Sequence, residues 1–230
     1  MKYLITILAY LLFITQTISA QEVVPVHQEP RHHLVYENDI LQVLDVQIPV
    51  GDTTLYHTHD APIFYVFISA SSTDDQELGN KWRGVTASDS PLFETGEVAC
   101  NLDYADKPVT HRVRNVGNSL FRLIGVINRR NQPVDDVIQN GLPGNVETDN
   151  RWFHQSRADV APDESLEFPV SNSPIVIVQV DEGKLKVSIG EDSLKLLSSP
   201  GDFAATNPSQ HFEVMNEGSN PVEIVIIRVN

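Results

Sequence analysis

The sequence predicts an all-β protein in which one small barrel occurs twice in tandem. Three observations carry this reading. Apolar, β-branched and aromatic residues gather in short runs bounded by Gly, Pro, Asn and Asp, the composition of strands and their turns. Convincing helical periodicity is absent beyond the first twenty residues. Finally, a pattern recurs: Pro108-x-x-His111-x-x-x-Asn115-x-Gly117 is echoed by Pro208-x-x-His211-x-x-x-x-Asn216-x-Gly218. An apolar run follows each copy, at 119–127 and 220–227. Upstream, Pro62-Ile-Phe-Tyr-Val-Phe-Ile matches Pro174-Ile-Val-Ile-Val-Gln-Val.

Taken in order, residues 1–20 read as a secretory signal. Lys2 supplies the charged start, 3–14 a short apolar core, and Thr17-Ile-Ser-Ala20 the small residues of a cleavage site. The apolar core is too short, and too abruptly followed by Gln21-Glu22, for a membrane span. Cleavage after Ala20 is expected, leaving a secreted or periplasmic protein with no membrane attachment. Residue 21 is Gln rather than Cys, which argues against a lipidated N-terminus.

The first barrel is expected over 28–130. In 41–48, Leu44, Val46 and Ile48 share one strand face while Asp45 and Gln47 take the other. The segments 63–68 and 121–127 are further strands. Residues 131–150, rich in Asn, Asp, Pro and Gly, form a linker with a short helix around 134–139. The second barrel is expected over 151–230, with strands at 175–180, 185–189 and 222–229.

The net charge of −15 excludes nucleic acid and anionic lipid as partners. Cys100 is the sole cysteine, so no intrachain disulfide can form, and it reads as a small, buried or half-buried strand residue. No Ser/His/Asp arrangement, phosphate-cradling glycine loop or dinucleotide fingerprint is present.

Chemistry enters with His57-Thr-His59. Two residues apart on a strand, both imidazoles point to the same face. His111, from another strand, would complete a set of three neutral nitrogen donors around a divalent ion, leaving positions open for water or substrate. Imidazole suits Fe, Zn, Mn, Ni and Cu alike. Three neutral ligands leave the 2+ charge uncompensated, so the centre should attract a small anionic molecule.

The spacing resembles the cupins. Gly51, five residues, then His57-x-His59 matches their first motif, and His111-x-x-x-Asn115 matches the second half of their second motif. Pro108 stands where that motif has its middle Gly, and Asp106 where it has its Pro. The resemblance implies a double-stranded β-helix barrel with an internal metal, and two copies imply a bicupin. Many cupins add a Glu ligand after the second His, but the matching positions here are Ile63 and Phe64. The site is therefore similar to the three-His variety of cysteine dioxygenase-like enzymes, which points to iron.

Asn115 is a candidate partner for a ligand imidazole, and Tyr65 a candidate hydroxyl beside the metal. Trp82, Arg83 and Tyr104 are candidates for the pocket wall, while Arg112 and Arg114, of opposite parity to His111, should face outward. His32 and His33 read as edge or surface residues, His27 as part of a flexible N-terminal segment, and His154 as core. Aligning Pro174 with Pro62 puts Pro169 and Ser171 where His57 and His59 stand, leaving His211 as a solitary remnant in a structural second copy. The expected function is an exported metal-binding protein, most concretely a non-haem iron dioxygenase. The alternatives are a non-catalytic binder, dimeric through barrel edges, and a metal-dependent isomerase or lyase, for which no general base is evident.

Overall fold

The computed structural model describes residues 22–86, 93–133, 141–191 and 193–230. The signal segment and the helix expected at 134–139 lie outside the described residues. The first half carries β1 (Val23–Pro25), β2 (His32–Glu37), β3 (Leu41–Ile48), β4 (Tyr56–His59), β5 (Ile63–Phe67), β6 (Thr73–Glu77), β7 (Val98–Asn101), β8 (Val109–Asn115) and β9 (Phe121–Asn128). The second half carries β10 (Asn145–Asp149), β11 (Phe153–Val160), β12 (Ser165–Phe168), β13 (Ile175–Gln179), β14 (Leu185–Ile189), β15 (Ser193–Leu197), β16 (Phe203–Ala205), β17 (Phe212–Asn216) and β18 (Val222–Val229). Among the described residues only short 3-10 turns, at Val26–Gln28 and Asp103–Ala105, interrupt them.

Each half pairs a four-stranded with a five-stranded sheet. The first half has β1-β4-β8-β6 facing β2-β3-β9-β5-β7; the second has β12-β17-β14-β15 facing β10-β11-β18-β13-β16. Among the described residues, no sheet mixes strands of the two halves. Pairing is antiparallel throughout except for β1, which runs parallel to β4.

The long apolar runs are explained by burial on both faces. On β3, Leu44, Val46 and Ile48 enter the interior of the first half. Leu41 and Val43, on the opposite face, join Phe64, Val66, Ile124 and Val126 against the second half. There they meet Phe153, Val176, Val178, Val225 and Ile227, with the Phe64 and Phe153 rings 5.7 Å apart. The two five-stranded sheets thus form the joint of the molecule. The interior of the second half is filled by its own side chains, among them Phe168, Ile177, Leu185, Val187, Phe212 and Val214.

The repeated Asn–x–Gly has the same task in both halves. The Asn115 amide donates to the carbonyls of Ile48 (2.8 Å) and Ser119 (2.7 Å), and its Oδ1 accepts from the Gly117 amide at 2.9 Å. Asn216 donates to Val160 (2.7 Å) and Asn220 (2.8 Å) and accepts from Gly218 at 2.8 Å. Each Asn satisfies buried backbone groups where the chain turns between strands.

Candidate metal centre

Antiparallel register brings the histidines together. His57 on β4 is the direct cross-strand partner of His111 on β8, and partners across an antiparallel pair present the same face. His59, two residues on, shares that face. The turn that delivers β4 needs Gly51, whose φ of 77° lies in the left-handed region open to glycine. Ring centroids stand 4.7 Å apart for His57–His111, 5.1 Å for His57–His59 and 5.0 Å for His59–His111. One ligand nitrogen from each lies within 4.8 Å of the others.

The nitrogens are prepared for a cation. The His57 Nδ1 donates to the Leu55 carbonyl at 3.1 Å, which frees Nε2 as the lone pair. The His111 Nε2 is buried without a hydrogen-bond partner, and a buried polar atom of that kind calls for one. Burial, reinforced by the neighbouring imidazoles, lowers the pKa of His57 to about 3 and of His111 to about 4, and pushes His59 well below the usual histidine value. All three are neutral donors near pH 7, as ligation requires. The donor set fits a borderline divalent ion.

The cluster opens into a cavity of about 400 Å³ between the two sheets of the first half. Apolar wall comes from Leu44, Ile63, Phe67 and Leu123. Thr73, Asp75 and Glu77 of β6 line the opposite side, with Arg83 holding Asp75 at 2.9 Å. Tyr65 and Tyr104 face the cavity, the Tyr104 ring 4.8 Å from that of His59. Burial and the adjacent Tyr104 raise the Tyr65 phenol well above its usual value, so it stays protonated.

Several expectations need correction. Asn115 does not reach the imidazoles, since both ends of its amide are committed to backbone. Trp82 is not part of the cavity wall: it lies on the outer face under the guanidinium groups of Arg112 (4.8 Å) and Arg114 (4.3 Å), which do point outward. His32 is not at the surface. It is buried, lines the cavity and meets His57 edge-on at 4.6 Å, whereas His33 is exposed. His27 sits in an ordered 3-10 turn, and His154 is a half-buried partner of Asp149 at 3.1 Å rather than core. Cys100 is exposed on the edge strand β7.

The ladders also revise the internal alignment. Asn115 and Asn216 end equivalent strands, so His111 corresponds to Phe212 and not to His211, which is exposed. Their cross-strand partners then make His57 equivalent to Phe168. On the other side, Thr73, Asp75 and Glu77 correspond to Leu185, Val187 and Ile189. Five polar inward positions of the first half are apolar in the second. Asp75 and Glu77 escaped notice in the sequence because Thr73-Asp-Asp-Gln-Glu77 shows no alternation by which to assign a face.

No protein-family model matches the chain, and no curated protein sequence matches it. Solved structures do match its fold. AerE from Microcystis aeruginosa is similar over 88% of this chain and 98% of its own, at 12% identity and a TM-score of 0.58. A cupin 2 conserved barrel domain protein from Leptotrichia buccalis is similar over 86% of this chain and 87% of its own, at 10% identity and a TM-score of 0.52. The salicylate 1,2-dioxygenase of Pseudoaminobacter salicylatoxidans, as a W104Y mutant, is similar over 84% of this chain and 72% of its own, at 8% identity and a TM-score of 0.57. At these identities the likeness speaks for architecture, and the architecture of this chain is that of the cupins.

Proposed function

We propose that this chain is an exported tandem cupin whose first barrel, 28–130, is a mononuclear metal oxidoreductase of dioxygenase type acting on a small anionic molecule. His57, His59 and His111 hold the divalent ion, iron foremost. The second barrel, 151–230 with β10 (Asn145–Asp149) on the edge of its sheet, is a structural partner, so the linker is shorter than the expected 131–150. The observation that carries the reading is the contrast between equivalent positions: His57, His111, Thr73, Asp75 and Glu77 stand where the second half packs Phe168, Phe212, Leu185, Val187 and Ile189. A fold that is content with apolar filling there has no structural need for polar groups, so in the first half they answer to a ligand.

A bound ion would supply an electrophilic centre with open positions for an anionic ligand and dioxygen. The protein's own residues do the rest. The Leu55 carbonyl fixes the tautomer of His57. The apolar wall keeps water from the reacting atoms, and the protonated Tyr65 hydroxyl can donate a hydrogen bond inside the cavity. The salicylate dioxygenase among the structural neighbours, also solved with gentisate, supports a small aromatic acid as the ligand class to test first.

Metal analysis of the protein from its native compartment is the test. One redox-active ion per chain is expected, absent in His57→Ala and His111→Ala, with oxygen uptake on a panel of hydroxybenzoates, catechols, thiols and diketones. Stoichiometric zinc without oxygen uptake would instead favour a metal-dependent isomerase or lyase. Asp75 speaks for that second reading, because it is a carboxyl group that lines the cavity and whose pKa burial raises.

A further inference from the structure

Resting on the metal reading above, the structure points to a support for the cluster that no sequence motif contains. We propose that Glu29 is a positioning residue for His57, acting through Leu55, and that the arm from Val23 to His32 is thereby part of the metal centre.

Glu29 is 1% exposed. A carboxylate removed from water must be repaid in hydrogen bonds. It accepts from the Arg31 amide at 2.6 Å, the Arg31 guanidinium at 3.2 Å and the Leu55 amide at 3.1 Å. Arg31 is anchored in turn by a two-point bond to Asp52, at 2.9 and 2.8 Å. Leu55 is held on both sides: its amide donates to Glu29, and its carbonyl accepts from the His57 Nδ1.

The same arm also touches the ring of His57. His32 bonds to the Val26 carbonyl through Nδ1 at 3.0 Å and lies edge-on to His57 at 72°. Its Nε2 is 3.9 Å from Glu29. The His57 imidazole is therefore fixed at one nitrogen and along one flank, and Glu29 is where the two supports meet. The arm is specific to this half. β1 runs beside β4 with Val24 opposite His57, whereas β12, the equivalent of β4, is the edge of its sheet and has no such neighbour.

The experiment uses the full mature chain, freed of metal by chelation and titrated with Co²⁺ while the visible absorption bands are followed. Wild type should bind one ion and His57→Ala none. Glu29→Met, equal in length but unable to accept a hydrogen bond, should raise the dissociation constant at least 10-fold and shift the Co²⁺ bands, as loss of a ligand's supporting partner typically does. Glu29→Gln, whose amide oxygen can still accept from Leu55 although its NH2 then meets the Arg31 amide, should lose less affinity than Glu29→Met. If Glu29→Met does not fold, Glu29→Asp, which withdraws the oxygen from Leu55 but keeps the charge, should weaken binding and shift the bands in the same direction. Wild-type affinity and spectrum in the Met variant, or in the Asp variant where it is needed, would overturn the proposal. Failure of wild type to bind Co²⁺ would overturn the metal reading and this inference together. Binding by wild type that is indifferent to residue 29 would remove the inference alone.

Discussion

An imidazole nitrogen buried without a partner is a cost that folding alone does not explain, and the Nε2 of His111 is such an atom. Its replacement should therefore separate two quantities. His111→Leu is expected to leave thermal stability of the metal-free protein unchanged or higher, by calorimetry, while metal content falls to zero. Asn115 should show the reverse. Asn115→Ala removes the bonds to the Ile48 and Ser119 carbonyls and from the Gly117 amide, with an expected loss of about 2–4 kcal/mol in urea denaturation. Asn216→Ala should lose a similar amount, since it makes the same three bonds. At this scale the sequence was legible where strand parity applies: His57, His59 and His111 meet as their spacing suggests. It was misleading where a residue type was taken as a role. Asn115 keeps its place in the motif but bonds to a turn. His32 and His33 take opposite faces of β2, but His32-His-Leu-Val-Tyr-Glu37 shows no clean alternation to say which face is inward, so both read as edge residues.

Strands show the same division between pattern and purpose. β6 and β14 occupy equivalent places, one polar on its inward face and the other apolar. Asp75→Val copies the second half's choice at that position. Because a partly buried ion pair is weakly stabilising at best, the variant should be as stable as wild type or more so, measured by chemical denaturation, while ligand binding in the cavity changes. The edge strand β10 offers a pH test. Arg157, bonded to Glu147 at 2.8 Å, holds the Glu147 carboxyl below its ordinary value of 4.5 despite partial burial. The folded-state pKa lies below the unfolded one, so the stabilisation is present above that value and lost as pH falls through it. Wild type should lose stability faster than Glu147→Gln between about pH 5 and pH 3. Element existence was readable from the apolar runs at 41–48, 63–68 and 222–229. β6 and β10 were not, since a strand that buries no apolar face leaves no alternation to read.

The whole molecule is held by sheet against sheet. Phe64 and Phe153 sit at the joint, and Arg157 of the second half donates to the Gly96 carbonyl of the first at 2.7 Å. A joint of this apolar character couples the halves, so a single unfolding transition is expected by calorimetry and by fluorescence of Trp152, which lies in it. Phe64→Ala should lower stability by about 3–5 kcal/mol and split that transition in two. The duplicated plan was legible from the Asn–x–Gly echo and the paired apolar runs. How the copies meet was not, because a strand buried on both faces reads the same whichever face meets the partner.

The solitary exposed thiol on β7 gives the molecule a built-in reporter. Cys100 pairs across the ladder with Phe64, and residues opposite one another share a face, so its side chain is directed away from the cavity that the next residue pair borders. A nitroxide or a fluorophore attached there would ride on a rigid strand without obstructing the mouth. Magnetic dipolar coupling between that label and a Cu²⁺ or Co²⁺ ion then measures how far the ion settles from a known atom, in solution and without a crystal.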